Sequence, residues 1–248
     1  SNEQVAQHHF LLYCECPEIA MCALPGQFVH VLMLNGTEFL LRRPFTVYTI
    51  EGTRISMLYQ VIGEGTAALS EMQSGASLRV LGPLGNTFQV PANVDPAILV
   101  GGGAGIASLM LLAVALNKTG VRTLAFIGAM NRKRLLSIND LRAIHVQTLI
   151  ATDDGSTGHH GLVTELLGSE LEQAQVHKPE KPVVYACGPR GMLQAVTQVA
   201  QSHQIPAQLA MENRMGCALG VCLGCVCRVR MSEGGVEYQR VCTEGPVF

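Results

Sequence analysis

Ala97-Ile98-Leu99-Val100, Gly101-Gly102-Gly103-Ala104-Gly105 and then Ile106 to Leu116 make up twenty residues without a charge. How this stretch is read decides the fold. Its length and its Gly101-x-x-x-Gly105 spacing suit a membrane helix. A buried strand, a glycine-rich turn and a helix explain it better, because the four glycines from Gly101 to Gly105 would break a helix at its start. That second reading predicts a parallel α/β domain and no membrane partner.

The same rhythm continues downstream. Thr123–Ile127 precedes a helical stretch near Ile138–Ile144, and Val146–Ala151 precedes one at Leu162–Leu171. Val183–Ala186 leads into Met192–Gln201, and Ala207–Met211 reads as a closing strand. Upstream the pattern differs. Short apolar runs alternate with turn signals: Gln27–Leu34 before Asn35-Gly36, Phe45–Ile50 before Glu51-Gly52, and Ile55–Ile62 before Gly63. A helical stretch after Thr66 and a strand at Ala76–Val80 complete this part, which predicts an antiparallel β-barrel or sandwich. Pro91 and Pro96 bracket a linker. The expected organisation is a barrel over residues 1–93, an α/β domain over 94–211 and a small appendage over 212–248, too short for an independent core.

Composition narrows the function. Charged residues make up 15% of the 248, and the formal net charge is −2, so no basic field points to nucleic acid. Trp is absent, which removes the usual stacking platform for single strands. The N-terminus lacks the basic and apolar regions of a secretion signal. Nine cysteines is an odd count, and five fall in the last thirty-two residues. Metal-bound thiolates in a reducing cytosol fit that distribution better than disulfides.

Cys217-x4-Cys222-x2-Cys225, with Cys242 sixteen intervening residues later, is the plant-type ligand spacing for a [2Fe–2S] cluster. Gly216, Gly220 and Gly224 suit a loop whose amides approach sulfide closely. Cys227 lies off the spacing. Cys14, Cys16 and Cys22 lack a fourth ligand, and His159-His160 reads as a solvated turn.

Arg42-Arg43-Pro44-Phe45-Thr46 puts arginine on an otherwise apolar strand. Two readings stand side by side. One is an edge strand with solvated Arg. The other is a flavin site, with Arg43 neutralising a pyrophosphate or reduced flavin and Thr46 hydrogen-bonding the ring. Gly63-Glu64-Gly65-Thr66 is either an anion site at a helix start or a turn with Thr66 as N-cap. Leu58-Tyr59-Gln60 lies on the strand between the two motifs. Gly82-Pro83-Leu84-Gly85-Asn86 is a tight turn that either binds or simply turns.

In the α/β part, Gly101, Gly102, Gly103 and Gly105 stand where a phosphate is cradled, yet the dinucleotide fingerprint is incomplete. Its sixth place is Ser108 counted from Gly103 and Ile106 counted from Gly101, and Gly128-Ala129-Met130-Asn131 carries no acid for a ribose. A phosphate or nicotinamide-ribose role survives. Asp153 and Asp154 follow the third strand, and Cys187-Gly188-Pro189 follows the fourth, at the carboxyl ends where such sheets bind ligands. Helix capping for the aspartates and burial for Cys187 are the plainer alternatives. No triad or carboxylate pair stands out, so no catalytic side chain is expected, and hydride transfer to a flavin requires none.

Taken in order, Arg43-Pro44-Phe45-Thr46, Gly63-x-Gly65-Thr66, Gly82 to Asn86, Gly101 to Gly105 and Cys187-Gly188-Pro189 resemble the ferredoxin–NADP reductase-like superfamily. The ending is closer still. Glu212-x-Arg214-Met215-x-Cys217-x4-Cys222-x-Gly224-Cys225-x-Cys227 and Val241-Cys242-x-x-Gly245-Pro246-Val247-Phe248 resemble the electron transfer subunits of class 1B dihydroorotate dehydrogenases, and the likeness covers nearly the whole chain. Thr46 replaces the commoner Ser and keeps its hydroxyl. The resemblance implies FAD in the barrel, contacted by Arg43 to Thr46, Leu58 to Gln60, Gly65 and Thr66. It also implies NAD in the α/β domain, a cluster on Cys217, Cys222, Cys225 and Cys242, and an FMN-bearing partner subunit in a hetero-oligomer, usually two plus two. Electrons would pass from dihydroorotate at FMN through the cluster and FAD to NAD⁺. Two other readings are a flavin and iron–sulfur reductase serving another redox partner, and a structural zinc module. Arg132-Lys133-Arg134 leaves a 2′-phosphate preference open.

Overall fold

The structure is a computed structural model that describes residues 1–32, 40–174, 181–231 and 234–248. Seven antiparallel strands open the chain: β1 Asn2–Ala6, β2 His9–Glu15, β3 Phe28–Leu32, β4 Arg43–Thr46, β5 Ile50–Glu51, β6 Arg54–Gln60 and β7 Arg79–Leu84. Short helices α1 Pro17–Ala20 and α2 Glu64–Ser70 interrupt them. The strands lie in two sheets, ordered β1-β2-β6-β5 and β4-β3-β7. Val29, Val31, Ile55 and Met57 are fully buried between them, the β-branched and apolar filling that holds two antiparallel faces together.

Two local expectations shift. The single strand expected over Phe45–Ile50 is split. Val47 N–H still bonds Gln27 O beside β3, whereas Tyr48 N–H bonds Ser56 O on β6, so the chain changes sheets between those residues. The strand expected at Ala76–Val80 starts later, at Arg79. Its pairing with β3, from Leu32↔Arg79 to Phe28↔Leu84, draws Gly82-Pro83-Leu84 into the ladder, and the turn begins only at Gly85. The Asn35-Gly36 turn and the end of the Gln27–Leu34 strand lie outside the described residues.

The second unit carries β8 Ala97–Gly102, α3 Ala107–Lys118, β9 Thr123–Ala129, α4 Ile138–Ala143, β10 Gln147–Thr152, β11 His159–His160, α5 Val163–Ala174, β12 Val183–Cys187, α6 Arg190–Ser202 and β13 Ala207–Ala210. Every pair is parallel, in the order β11-β10-β9-β8-β12-β13. All six residues of β8 are buried, which explains a charge-free strand with both faces covered. A 3-10 turn over Gly103–Ile106 then leads into α3. Among the described residues, no helix is long and apolar enough to cross a membrane. On α6, Leu193, Val196 and Ala200 fall on one face and are buried there, as a surface helix requires.

The chain divides into two compact units, Ser1–Thr87 with Met211–Phe248, and Phe88–Ala210. The C-terminal segment forms an antiparallel ribbon of β14 Val226–Arg230 and β15 Val236–Arg240 and packs with the first unit. Phe28, Ala218, Cys225, Val241 and Cys242 make one buried cluster there, flanked by Leu84, Met211, Met215, Cys227 and Phe248.

Candidate metal centre and cofactor sites

Four of the five cysteines of the C-terminal segment form two pairs, with Cys217 beside Cys222 and Cys225 beside Cys242. Cys225 and Cys242 are each 2% exposed, whereas Cys217 is half-buried and Cys222 exposed. Left-handed backbone at Ala218, Gly220 and Leu223 curls the intervening loop. That curl aims the amides of Leu219 and Cys222 at Cys217 Sγ, both at 3.4 Å. These donors favour the thiolate and hold the Cys217 pKa down at about 6. Burial pushes the Cys242 thiol up, with the Gly220 amide opposing it.

Arg240 ties the loop to the chain end. Its Nη1 donates to Gly220 O at 2.9 Å, and its Nε donates to the Glu244 carboxylate at 2.9 Å. That charge-assisted pairing draws the Glu244 pKa down to about 2. No charged side chain lies between Arg214 and Arg228. Two thiol pairs with amides aimed at sulfur fit a two-iron cluster with two thiolates per iron. Among the described residues, no three His, Cys, Asp or Glu side chains converge where a single metal ion would sit. Cys227 packs against the cluster that holds Cys225 and Cys242, and its thiol is raised by burial and by Cys225.

In the barrel part, β4 lies against β3 with Phe28↔Thr46, Val29↔Phe45, His30↔Pro44 and Val31↔Arg43 opposite each other. The Phe45 ring meets Tyr59 edge-on at 5.7 Å, so Arg43–Thr46 and Leu58–Gln60 are brought together. Phe10 stacks on Tyr59 as well. The Arg43 guanidinium turns back to Leu41 O. Gly65 and Thr66 lie in the first turn of α2, whose N-cap is Gly63. Thr66 is therefore not the N-cap. Its hydroxyl accepts from the Ile62 and Gly63 amides at 2.9 and 3.2 Å, and so closes the helix start from the third helical position.

In the α/β unit, β8 and β12 are neighbours, so Gly101–Gly105 and Cys187-Gly188-Pro189 meet at their carboxyl ends. The contact is close. A Cβ on Gly102 would lie 2.9 Å from Pro189 Cδ, and one on Gly105 would lie 2.6 Å from Cys187 O. This close approach lies where the strand order reverses, the place such sheets bind nucleotides. Asp153 and Asp154 follow β10, which β9 separates from β8, so they are not part of that junction. Asp154 instead accepts from the Ser156 amide at 2.9 Å. His159-His160 forms the short edge strand β11 rather than a turn. Cys187 is buried.

Phe28, Arg240 and Glu244 were not singled out from sequence. Only the i, i+4 spacing of the last two carried a signal, and their role depends on a contact with Gly220 twenty residues away.

Comparison with known proteins agrees with this geometry. The profile of the iron-sulfur cluster binding domain of dihydroorotate dehydrogenase B matches residues 212–248. The chain is 31% identical over 246 residues to the dihydroorotate dehydrogenase B (NAD(+)) electron transfer subunit of Desulforamulus reducens, covering 98% of this chain and 92% of that one. It is 39% identical over 228 residues to the subunit of the same name from Bacillus caldolyticus, covering 90% and 84%. Among solved structures, a chain of an NADH-dependent reduced ferredoxin-NADP oxidoreductase, described for flavin-based electron bifurcation, superposes with a TM-score of 0.84 at 28% identity. That match covers all of this chain and 86% of the other.

Proposed function

The chain belongs to the family of electron transfer subunits of NAD(+)-linked dihydroorotate dehydrogenase B, and on that footing we propose that it passes electrons from a dihydroorotate-oxidising FMN subunit to NAD⁺. It is the electron transfer component of an oxidoreductase, not the catalytic subunit. Bound FAD supplies the exchange between hydride and single-electron chemistry, and a [2Fe–2S] cluster supplies a one-electron relay toward the partner.

Three parts of the chain divide this work: residues 1–93 for FAD, 94–211 for NAD and 212–248 for the cluster. Arg43 neutralises flavin or pyrophosphate charge, Thr46 and Leu58–Gln60 line the ring, and Gly65 and Thr66 sit at the phosphate end. Gly101, Gly102, Gly103 and Gly105 with Cys187 and Gly188 receive nucleotide phosphate and nicotinamide ribose, with Asp153 and Asp154 farther along the sheet edge. Cys217 and Cys222 hold one iron, and Cys225 and Cys242 the other.

The observation that carries this reading is the arrangement of the thiols. One pair shares a buried cluster with Phe28, which lies opposite Thr46, and the other pairs half-buried Cys217 with exposed Cys222. An electron relay needs one end near its flavin and one end near its partner. Around the outer pair, Leu219, Val221 and Leu223 are 56%, 79% and 60% exposed, which supports a protein partner covering the loop. A two-plus-two assembly in the reducing cytosol suits such a partner.

Purification with co-expressed neighbouring subunits tests the reading. Flavin and iron–sulfur absorption, with capture of an FMN subunit that oxidises dihydroorotate, is the expected result, and a colourless protein contradicts it. The 28% identity to the ferredoxin-NADP oxidoreductase chain favours a second reading, in which the same cofactors serve another redox partner. Capture of a different redox protein would select it. NADH is expected to reduce the flavin faster than NADPH, and a strong NADPH preference would overturn NAD as the nucleotide.

A further inference from the structure

Asn86 closes the end of β7 onto the last turn of the chain. Its backbone N–H donates to Gly245 O at 2.6 Å. Its Nδ2 donates to both Glu244 O and Val247 O at 2.8 Å, and its Oδ1 accepts from Val247 N–H at 2.9 Å. One carboxamide thus uses both donors and its acceptor on a single four-residue segment. The preceding residue makes the approach possible. Gly85 has φ 80°, and a Cβ there would lie 2.5 Å from Pro246 Cδ and 3.1 Å from the Phe28 ring. Gln27 braces the turn from β3's side, donating from Nε2 to Gly85 O at 2.9 Å. Met211 N–H adds a bond to Pro246 O at 2.8 Å.

The segment held in this way begins two residues after Cys242, and Cys242 shares its buried cluster with Cys225 and Phe28. Phe28 in turn lies across the β3–β4 ladder from Thr46. One ladder pairing and one buried cluster therefore link the flavin-side strand, Phe28 and the inner thiol pair, and Asn86 fastens the segment that follows Cys242.

We infer that Asn86 is a positioning residue for electron transfer between the flavin and the iron–sulfur cluster, acting through the 244–247 segment to hold Cys225 and Cys242 against Phe28. The inference rests on the flavin and iron–sulfur reading above and names the side chain that sets the coupling of the two centres. With NADH as the donor in a test of the reverse direction, bound FAD would take up a hydride, two electrons with one proton, and a bound cluster would accept one of those electrons.

The test uses the full-length holoprotein mixed rapidly with NADH, in wild-type, Asn86→Ala and Asn86→Asp forms. The Asp variant keeps the acceptor for Val247 and loses both donated bonds. Flavin bleaching should keep its wild-type rate in both variants. Cluster reduction should slow by roughly 10–100-fold, the usual effect of removing a hydrogen bond that orients metal ligands, and the reduced cluster's magnetic resonance signal should shift. A second readout needs no cofactor. In the cluster-free chain, Asn86→Ala should speed alkylation of Cys225 and Cys242 and leave Cys217 and Cys222 unchanged. Wild-type cluster reduction rates in both variants, or unchanged protection of the inner thiols, would overturn the inference. A wild-type protein without flavin or iron would instead overturn the functional reading, and the alkylation result would still decide the role of Asn86.

Discussion

The two ends of the cysteine set are built by different physics. Cys225 and Cys242 sit in a hydrophobic cluster with Phe28, Ala218 and Val241, so packing from a distant strand holds them. Cys217 and Cys222 lie at the surface, where the loop's own amides and left-handed turns hold them. The inner pair is a product of tertiary structure, and the outer pair a product of local backbone. On the proposed reading, one small segment anchors a relay in packed structure and leaves its other end open to a partner.

Substitutions that separate the two ends test this contrast. Cys225→Ser should remove the cluster and also destabilise the cluster-free chain by about 1–3 kcal/mol, because it buries a hydroxyl in apolar surroundings. Cys222→Ser should remove the cluster and leave cluster-free stability unchanged. Denaturant melts of both cluster-free variants decide the matter, and equal melts would erase the distinction. Phe28→Ala should cost about 3–5 kcal/mol as a core cavity and loosen the inner pair alone, visible as faster alkylation of Cys242.

Glu244 bridges both ends through Arg240, and pH should affect that bridge in one direction. The Glu244 carboxyl is depressed in the folded chain, to about 2 from an ordinary 4.5. The stabilisation is therefore fully present above about 4.5 and is lost as pH falls toward about 2. Melts of the cluster-free protein should show that loss, and Glu244→Gln should flatten it. Melts with the same pH profile in both forms would sink the idea. The smallest effect is expected at Leu223, held with φ 56° and exposed. Leu223→Gly should change stability by no more than about 1 kcal/mol, relief of left-handed strain being offset by chain entropy. It should weaken partner capture more than it changes the melt.

These contrasts also show what could be read without coordinates. The cysteine spacing, the strand–turn–helix at Ala97–Leu116 and the parallel order that follows are local patterns, and they were legible because burial and turn chemistry act within a few residues. Of the two readings of Thr66, the N-cap one fails, since a hydroxyl at the third helical position and one at the N-cap look alike in sequence. Phe45–Ile50 was read as one strand because nothing in its composition marks a change of sheet at Val47–Tyr48. Asn86 appeared only as part of a turn that either binds or turns. Its partners lie 158 and 161 residues away, and no local pattern encodes such pairs.

The most direct test of the relay is NAD⁺ reduction by dihydroorotate in the assembled complex, wild-type against Cys242→Ser. With the cluster signal gone, NAD⁺ reduction should be abolished while dye-coupled dihydroorotate oxidation at the FMN subunit continues. Unchanged NAD⁺ reduction in a variant that lacks the cluster would contradict the account.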